Sequence, residues 1–185
     1  MKTFNLKIER DVFFKIKPIL KVKYALKNIN EVCNINKVTI NSTIGTSLSK
    51  YDVLTLRKNI ELICNQKPYL IKSKKNISNF KLREGTPIAF KVTLRKLNMY
   101  NFIYKLIALV FPKLKDFRGL NLITDKFNNI HFGIHDHNVF PEINFSSNIQ
   151  RVGLNVSFNL KNVSKDKSIL LSFLRLIKFP FTNKL

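Results

Sequence analysis

The chain has 185 residues, of which 45% are hydrophobic, and this suits one domain with a buried core rather than several domains. Lys and Arg number 33 against 11 for Asp and Glu, so the formal charge of +22 predicts a polyanionic partner, either nucleic acid or an anionic membrane. The apolar run LIALVF at 106–111 is far too short to span a bilayer, which weakens the membrane alternative.

Cysteine usage and the first residues bear on the compartment. Cys33 and Cys64 lie far apart and form neither a disulfide framework nor a zinc motif, so we expect two buried or half-buried thiols in a reducing compartment. The first residues, MKTFNLKIERDVFF, match neither a secretory signal nor an Arg-rich transit peptide, so the protein is expected to act where it is made. The abundance of Lys, Asn, Ile and Phe indicates an A+T-rich gene, as in an organelle genome.

Two elements are predicted at the start of the chain. Residues 8–20 show weak helical spacing of apolar side chains, and Pro18 is expected to kink or end this helix. Residues 35–41, INKVTIN, predict a strand. Its two faces would be Ile35, Lys37, Thr39 and Asn41 on one side and Asn36, Val38 and Ile40 on the other.

A helix is predicted next, capped by Ser49 and ended by NQKP at 65–68. Its apolar face would consist of Val53, Leu54, Leu56, Ile60, Ile63 and Cys64. Residues 69–85, YLIKSKKNISNFKLREG, predict a basic hairpin or loop that also holds Phe80. A solvated run of charge is the plainer interpretation, but an aromatic ring among cations also suits phosphates and exposed bases. These residues alone leave both interpretations open.

The stretch IAFKVTLR at 88–95 predicts a strand with one apolar face and one face suited to binding. An amphipathic helix follows and is expected to end at Pro112. Its apolar positions are Met99, Phe102, Ile103, Leu106, Ile107 and Val110.

RVGLNVSFNL at 151–160 alternates strictly between apolar and polar residues, which is typical of a half-buried antiparallel strand. A last helix is predicted over about 168–178, with Ser164 and Asp166 as candidate caps. Together the elements predict an α+β fold, in which helices pack on one face of an antiparallel sheet and the other face is open, polar and basic.

Eight phrases of the sequence occur in the order and at nearly the spacing of one known family. They are NQKP at 65–68, FKLREGTP at 80–87, KVTLR at 91–95, Met99-Tyr100, FPKLKDFRGL at 111–120, FGI at 132–134, FPEI at 140–143 and FPF at 179–181. From about Val38 to Phe181 the chain resembles large-subunit ribosomal protein five of the bacterial type. The resemblance implies one domain over residues 1–185, with a divergent N-terminal segment at 1–30.

The resemblance implies an RNA-binding scaffold in the central protuberance of the large ribosomal subunit, with no catalysis and no cofactor. The implied partners are 5S rRNA, large-subunit rRNA, P-site tRNA, small-subunit ribosomal protein thirteen and neighbouring proteins of the central protuberance, but no membrane. Three sets of residues match the family's contacts. The rRNA set is Asn41, Gln66, Lys67, Lys91, Thr93 and Arg95; the tRNA-facing loop is Lys72, Lys74, Lys75, Phe80, Lys81 and Arg83; the subunit bridge is Lys115, Asp116, Phe117 and Arg118.

The sequence also departs from the family. Lys96 and Asn65 replace glycines, Cys33 replaces a proline, and the turn DKFNN at 125–129 is slightly shorter and lacks glycine. These departures leave the RNA geometry around Lys96 open, as well as the contacts of the first 30 or so residues. They suggest a fast-evolving, organelle-encoded copy that works on mitochondrial ribosomes in the matrix rather than in a plastid. Whether that organelle retains 5S rRNA is a separate question.

All three histidines, His131, His135 and His137, lie close to Asp136 and Glu142. A strand would place the histidines on one face at a spacing that permits chelation, so a metal-dependent RNA-processing nuclease is the enzymatic alternative. No Gly-rich phosphate loop or HExxH motif accompanies them. Since the resembled family has ordinary residues at these positions, we expect polar-face strand residues and no metal. A free-standing basic RNA chaperone, acting through charge alone, is the second alternative.

Overall fold

The computed structural model of the chain contains both strands and helices and describes residues 11–44, 50–115, 117–121, 123–126, 128–143, 152–162 and 167–182. The strands are β1 (Asn34–Thr43), β2 (Tyr69–Lys72), β3 (Pro87–Leu94), β4 (Ile123–Thr124), β5 (Ile130–Ile134) and β6 (Leu154–Lys161). The helices are α1 (Lys17–Lys23), α2 (Lys50–Cys64), α3 (Lys96–Lys105) and α4 (Lys167–Leu176). None of the helices in these ranges has the length and apolar character that crossing a membrane requires.

The strands form one sheet in the order β2-β3-β1-β6-β5-β4. Five of them have four residues or more, and β4 is a two-residue strand at one edge. The pairs β2-β3 and β4-β5 are both antiparallel. The predicted α+β fold, an antiparallel sheet with helices, is therefore confirmed.

The backbone divides into two compact units whose boundaries fall inside β1, β5 and β6. The first unit comprises Met1–Val38, Arg95–Phe132 and Ser157–Leu185. The second unit comprises Thr39–Leu94 and Gly133–Val156.

The core of the second unit follows the predicted periodicities. On α2, four residues at helical spacing are buried, namely Leu56, Ile60, Ile63 and Cys64. On β3, Phe90, Val92 and Leu94 are buried, and each contributes about 1.5–3 kcal/mol on leaving water. The prediction was wrong for Leu54, which is 58% exposed, because it lies outside the stripe that faces the strands. The predicted cap Ser49 lies outside the described residues.

The core of the first unit is built around five phenylalanines, with ring centroids between 5.0 and 6.2 Å apart: Phe111, Phe117, Phe132, Phe158 and Phe179. In the same unit, α1 contacts α4 through a hydrogen bond of 2.7 Å between the hydroxyls of Tyr24 and Ser172. Cys33 is buried as predicted, and burial raises the pKa of its thiol to about 12, so it stays protonated. In the second unit, Cys64 is likewise a buried thiol.

Pro18 was expected to kink or end its helix and Pro112 to end its helix; Pro18 does not end its helix, and the helical path ends one residue after Pro112. The first helix continues past Pro18 to Lys23, and the segment after α3 continues past Pro112 to Lys113. In each case the preceding turns are wound as a π-helix, over Asp11–Ile16 and Leu106–Val110. Because a proline ring clashes with the carbonyl four residues earlier in an α-helix, this wider winding relieves the clash and the chain stays helical.

The two glycine replacements lie at positions where the backbone is left-handed. Asn65 has φ 51° directly after α2, and Lys96 has φ 48° directly after the extended residue Arg95. Asparagine tolerates this conformation best among residues with a Cβ, which suits its place at the end of a helix. Lysine tolerates it less well, so the turn at Lys96 keeps a glycine-like backbone at an energetic cost.

Replacing Lys96 by Gly should therefore stabilise the fold by about 1 kcal/mol, because glycine adopts positive φ without steric cost. Urea unfolding followed by circular dichroism measures the change. The matched control is Lys58→Gly, which removes an equally exposed lysine from the interior of α2 and should destabilise by about 1 kcal/mol. A loss of stability in Lys96→Gly would contradict the assignment of strain to this turn.

Candidate nucleic-acid interface

Three members of the predicted rRNA set, Gln66, Lys91 and Thr93, lie on β3 or in the turn after α2, all in the second unit. Lys91 is exposed and Thr93 is half-buried on the side opposite to Phe90 and Val92. The Nε2 of Gln66 donates to the carbonyl oxygen of Thr93 at 3.3 Å, which holds the turn after α2 against the strand. Gln66 therefore has a structural role in addition to any contact with a ligand.

Two further members of the set flank this point along the chain. Lys67 is exposed in the turn that leads into β2. Arg95 follows β3 with an extended backbone, at φ −138° and ψ 161°, and is exposed. Its guanidinium can therefore approach a phosphate or a base edge with two parallel hydrogen bonds.

Asn41 lies on β1, which is the neighbour of β3 in the sheet. Its Oδ1 atom is shielded from solvent and has no hydrogen-bond partner among the described residues. A buried acceptor without a partner costs about 1–3 kcal/mol, so a ligand that brings a donor would recover this cost if the Asn41 amide turned to meet it. An RNA 2′-hydroxyl or a base N–H is such a donor.

The predicted tRNA-facing loop is a small hairpin. Its base is closed by hydrogen bonds from Ser73 N to Thr86 O at 2.8 Å and from Gly85 N to Ser73 O at 3.0 Å. A second closure pairs Ile77 with Leu82. The 3-10 turn Ser78–Phe80 lies between these two residues, and Phe80 is 70% exposed. The cations of the set are all exposed: Lys72, Lys74, Lys75, Lys81 and Arg83.

The predicted subunit-bridge segment is only partly available for binding. Phe117 is half-buried because its ring stacks on Phe111, with centroids 5.0 Å apart and planes 5° apart. It anchors the segment to the phenylalanine core, while Lys115 and Arg118 are exposed. Asp116 lies outside the described residues.

The histidines do not lie together on a strand face, so that expectation was wrong. Strand β5 ends at Ile134, and the chain then turns into the 3-10 segment His137–Val139, where the carboxylate of Asp136 accepts from Asn138 N at 2.9 Å. His131 is half-buried on the strand, with Nδ1 2.9 Å from the hydroxyl of Ser157, and His135 is exposed. In the described ranges, no three His, Cys, Asp or Glu side chains are grouped as metal ligands.

His137 is fully buried and serves the fold of the second unit. Its backbone N and its Nδ1 are each 3.1 Å from the carbonyl oxygen of Val152, and its Nε2 is 3.5 Å from the amide nitrogen of Asn59 on α2. The neutral form with the proton on Nδ1 fits these two contacts, and we prefer it to the opposite tautomer because the Val152 N–H that would donate to Nδ1 is farther away, at 3.4 Å. Burial lowers the pKa of His137 from the ordinary value of 6.5, against the opposing effects of the Val152 carbonyl and Asp136.

Because the folded pKa of His137 is lowered, the unfolded chain binds the extra proton more readily than the folded chain. The stability from this group is fully present above about pH 6.5 and is lost as the pH falls below that value. His137→Gln should destabilise the fold by about 2–3 kcal/mol at pH 8 and weaken its sensitivity to acid between pH 8 and 5.5. Urea unfolding at both pH values measures this.

His135→Gln is the control, because His135 is exposed. It should change stability by less than about 0.5 kcal/mol at either pH. Equal effects of the two substitutions would contradict the structural role of His137.

Exposed lysines around β3 and a basic hairpin with an aromatic tip, all in the second unit, are typical of a protein that binds RNA as a scaffold. Comparison of the sequence with known protein families and proteins gives the same class, an RNA-binding scaffold, and also identifies a family. The model of the family described as ribosomal protein L5 matches residues 28–83, and the model of that family's C-terminus matches residues 87–181. The chain belongs to the ribosomal protein L5 family.

Relatives from bacteria and from an organelle match nearly the whole chain. The large ribosomal subunit protein uL5 of Thermosipho africanus is 44% identical over 170 residues, covering 90% of this chain and 92% of the relative. The protein uL5 of Protochlamydia amoebophila is 38% identical, with 91% and 90% covered. The protein uL5c of Euglena longa is 40% identical, with 90% and 93% covered.

These findings confirm the resemblance seen in the sequence. They also confirm that the chain is not an enzyme, because the ribosomal L5 family consists of structural, non-enzymatic proteins. The nuclease alternative is therefore wrong.

One exposed side chain near the rRNA set was not singled out from the sequence. Tyr69 is the first residue of β2 and pairs directly with Lys91 of β3. In the sequence it begins the apolar run YLI, which hides it among core residues. The period of two along β2, combined with the pairing to β3, is the signal that places it on the same face as Lys91.

Proposed function

We propose that this chain is a structural constituent of the large ribosomal subunit and holds rRNA with the residues around the end of β3. The match of the family models to residues 28–83 and 87–181 is the observation that carries this proposal. The exposed cations, and an Asn41 oxygen that has no hydrogen-bond partner among the described residues, give it a physical basis. We further propose that residues 1–185 act as one domain.

The RNA held by this surface is 5S rRNA, or the rRNA segment that replaces it, together with large-subunit rRNA of the central protuberance. Lys67 and Lys91 supply charge for phosphates, and Arg95 grips a phosphate or base edge. Asn41 and Thr93 are short side chains on strands, so their hydrogen bonds have fixed directions. Such contacts suit a permanent partner.

The hairpin suits a partner that comes and goes, and we assign it to P-site tRNA. Lys74, Lys75 and Lys81 are long, flexible cations around the exposed ring of Phe80. The ring offers a surface for a base or ribose, and the lysines attract the backbone without fixing its geometry. Lys72 and Arg83 extend the same charge toward the base of the hairpin.

The segment at 115–118 is assigned to the bridge with small-subunit ribosomal protein thirteen. Phe117 fixes its backbone to the core, and Lys115 and Arg118 present charge to the partner. Neighbouring proteins of the central protuberance complete the set of partners.

The assignment of the strand surface is tested by Asn41→Ala combined with Arg95→Ala. The double substitution should weaken the binding of a 5S rRNA transcript by about 2–5 kcal/mol, because it removes one charged and one short polar contact. Equilibrium binding by the purified chain measures the loss, and the variant should also be depleted from salt-washed large subunits. Retention of both properties would contradict the assignment.

The hairpin is tested by replacing Lys74, Lys75 and Lys81 with Ala. We expect near-normal incorporation into the large subunit and a roughly tenfold faster loss of P-site tRNA from assembled ribosomes, since several phosphate contacts are removed. The control replaces the exposed lysines Lys27, Lys58 and Lys126 with Ala, which removes the same charge elsewhere. The assignment fails if the hairpin variant drops out of the subunit or if the control loses tRNA equally.

We propose that the ribosome that contains this chain is mitochondrial. The gene for the chain would then lie in the genome of the same organelle. The A+T-rich character of the sequence and the 40% identity to the organellar relative in Euglena longa support an organellar copy. Mass spectrometry of ribosomes from separated mitochondria and plastids should find the chain in the mitochondrial fraction. Its recovery in plastid ribosomes alone would overturn the location and leave the family unchanged.

Sedimentation of ribosomes after salt washing tests the alternative that the chain is a free-standing RNA chaperone. Such a protein would bind through charge alone and leave the particles during salt washing. A ribosomal constituent should remain with the large subunit.

A further inference from the structure

Tyr69 is an exposed aromatic residue on the sheet of the second unit. Its side chain is 73% exposed, although tyrosine is amphipathic and usually buries most of its ring. It lies on β2, the outer strand of the sheet order, so no further strand covers it among the described residues. The ring at this position is therefore available to a partner.

The pairing of β2 with β3 fixes the side of the sheet on which Tyr69 lies. Leu70 pairs with Phe90, which is buried, so that side of the ribbon faces the core. Tyr69 pairs with Lys91, and the period of two places both side chains on the opposite side. Directly paired residues have Cβ atoms about 4.5–5.5 Å apart, so the two side chains leave the sheet next to each other.

The surroundings of the ring are cationic. Lys91 lies opposite, and the exposed Lys67 precedes Tyr69 by two residues. Neither β2 (YLIK) nor β3 (PIAFKVTL) contains an acidic residue. The hydrogen bond from Gln66 to the carbonyl of Thr93 at 3.3 Å holds the turn before Tyr69, so the backbone that carries the Tyr69 ring is fixed in position.

We propose that Tyr69 stacks on one unpaired base of rRNA while Lys67 and Lys91 neutralise the phosphates next to that base. The inference rests on the proposed function of the strand surface. It adds a contact of a different kind, in which the Tyr69 ring stacks on an unpaired base. A flat aromatic face between cations fits a base flanked by phosphates, because every base has a π-face and a charged backbone on either side. An apolar protein segment would gain nothing from the two lysines, so RNA is the occupant that the charge favours.

The two kinds of contact respond differently to salt. Stacking releases no counterions, whereas each lysine that neutralises a phosphate adds to the slope of log affinity against log salt. Tyr69→Leu should therefore lower the affinity for a 5S rRNA transcript about tenfold with an unchanged salt slope. Lys91→Ala should lower the magnitude of the slope by about 0.7–0.9. Tyr69→Phe, which keeps the ring, should stay within about twofold of the unsubstituted chain.

Tyr51→Leu is the matched control, because Tyr51 is 75% exposed on α2 of the same unit. It should leave both affinity and salt slope unchanged. If Tyr69→Leu binds like the Tyr51 control while Asn41→Ala with Arg95→Ala loses affinity, the stacking inference fails and the proposed function stands. If all of these variants bind equally well, both fail.

Photocrosslinking in assembled large subunits gives a second measurement. With p-benzoylphenylalanine in place of Tyr69, the crosslink should map to a nucleotide that is unpaired in the rRNA secondary structure. A crosslink to a ribosomal protein, or to paired nucleotides only, would overturn the inference.

Discussion

The alternation of buried and exposed side chains along the strands is the constraint on which the rest of the structure depends. On β3, Phe90, Val92 and Leu94 are buried while Lys91 is exposed. A shift of one residue in the pairing with β2 would place a lysine in the core and three apolar side chains in water, which costs several kcal/mol. The hydrophobic pattern therefore fixes which polar side chains share a face, and Tyr69 joins Lys91 for this reason.

The same pattern explains which parts of the fold the sequence could predict. The strands β1, β3 and β6 were predicted within a few residues at each end, because their period of two is a local property. The helices α2 and α3 were predicted from the period of 3.6, and the helical path ends one residue after Pro112, but Pro18 did not end its helix. Relief by a π-wound turn depends on backbone geometry over a whole turn, which residue preference does not encode.

The exposure of the candidate residues was predicted where they lie on a strand or in the hairpin, and less well where tertiary contacts decide. The burial of His137 depends on Asn59 and Val152, which are 78 and 15 residues away in sequence. The half-burial of Phe117 likewise depends on stacking against Phe111 rather than on its own polar neighbours. Tyr69 was missed because an aromatic residue at a strand start looks the same in sequence whether it faces the core or solvent.

Backbone geometry is kept where the side chain has changed. Lys96 and Asn65 both hold positive φ at positions where the resembled family has glycine, and each adds a steric cost of about 1 kcal/mol or less. The turn at Lys96 determines how the chain leaves β3 after Arg95, and the turn at Asn65 leads into Gln66, whose side chain is bonded to Thr93. Both strained turns therefore adjoin the residues assigned to rRNA. A chain that retains left-handed turns at a cost, while its side chains there diverge, indicates that the position of this backbone matters more than the side chains that occupy it.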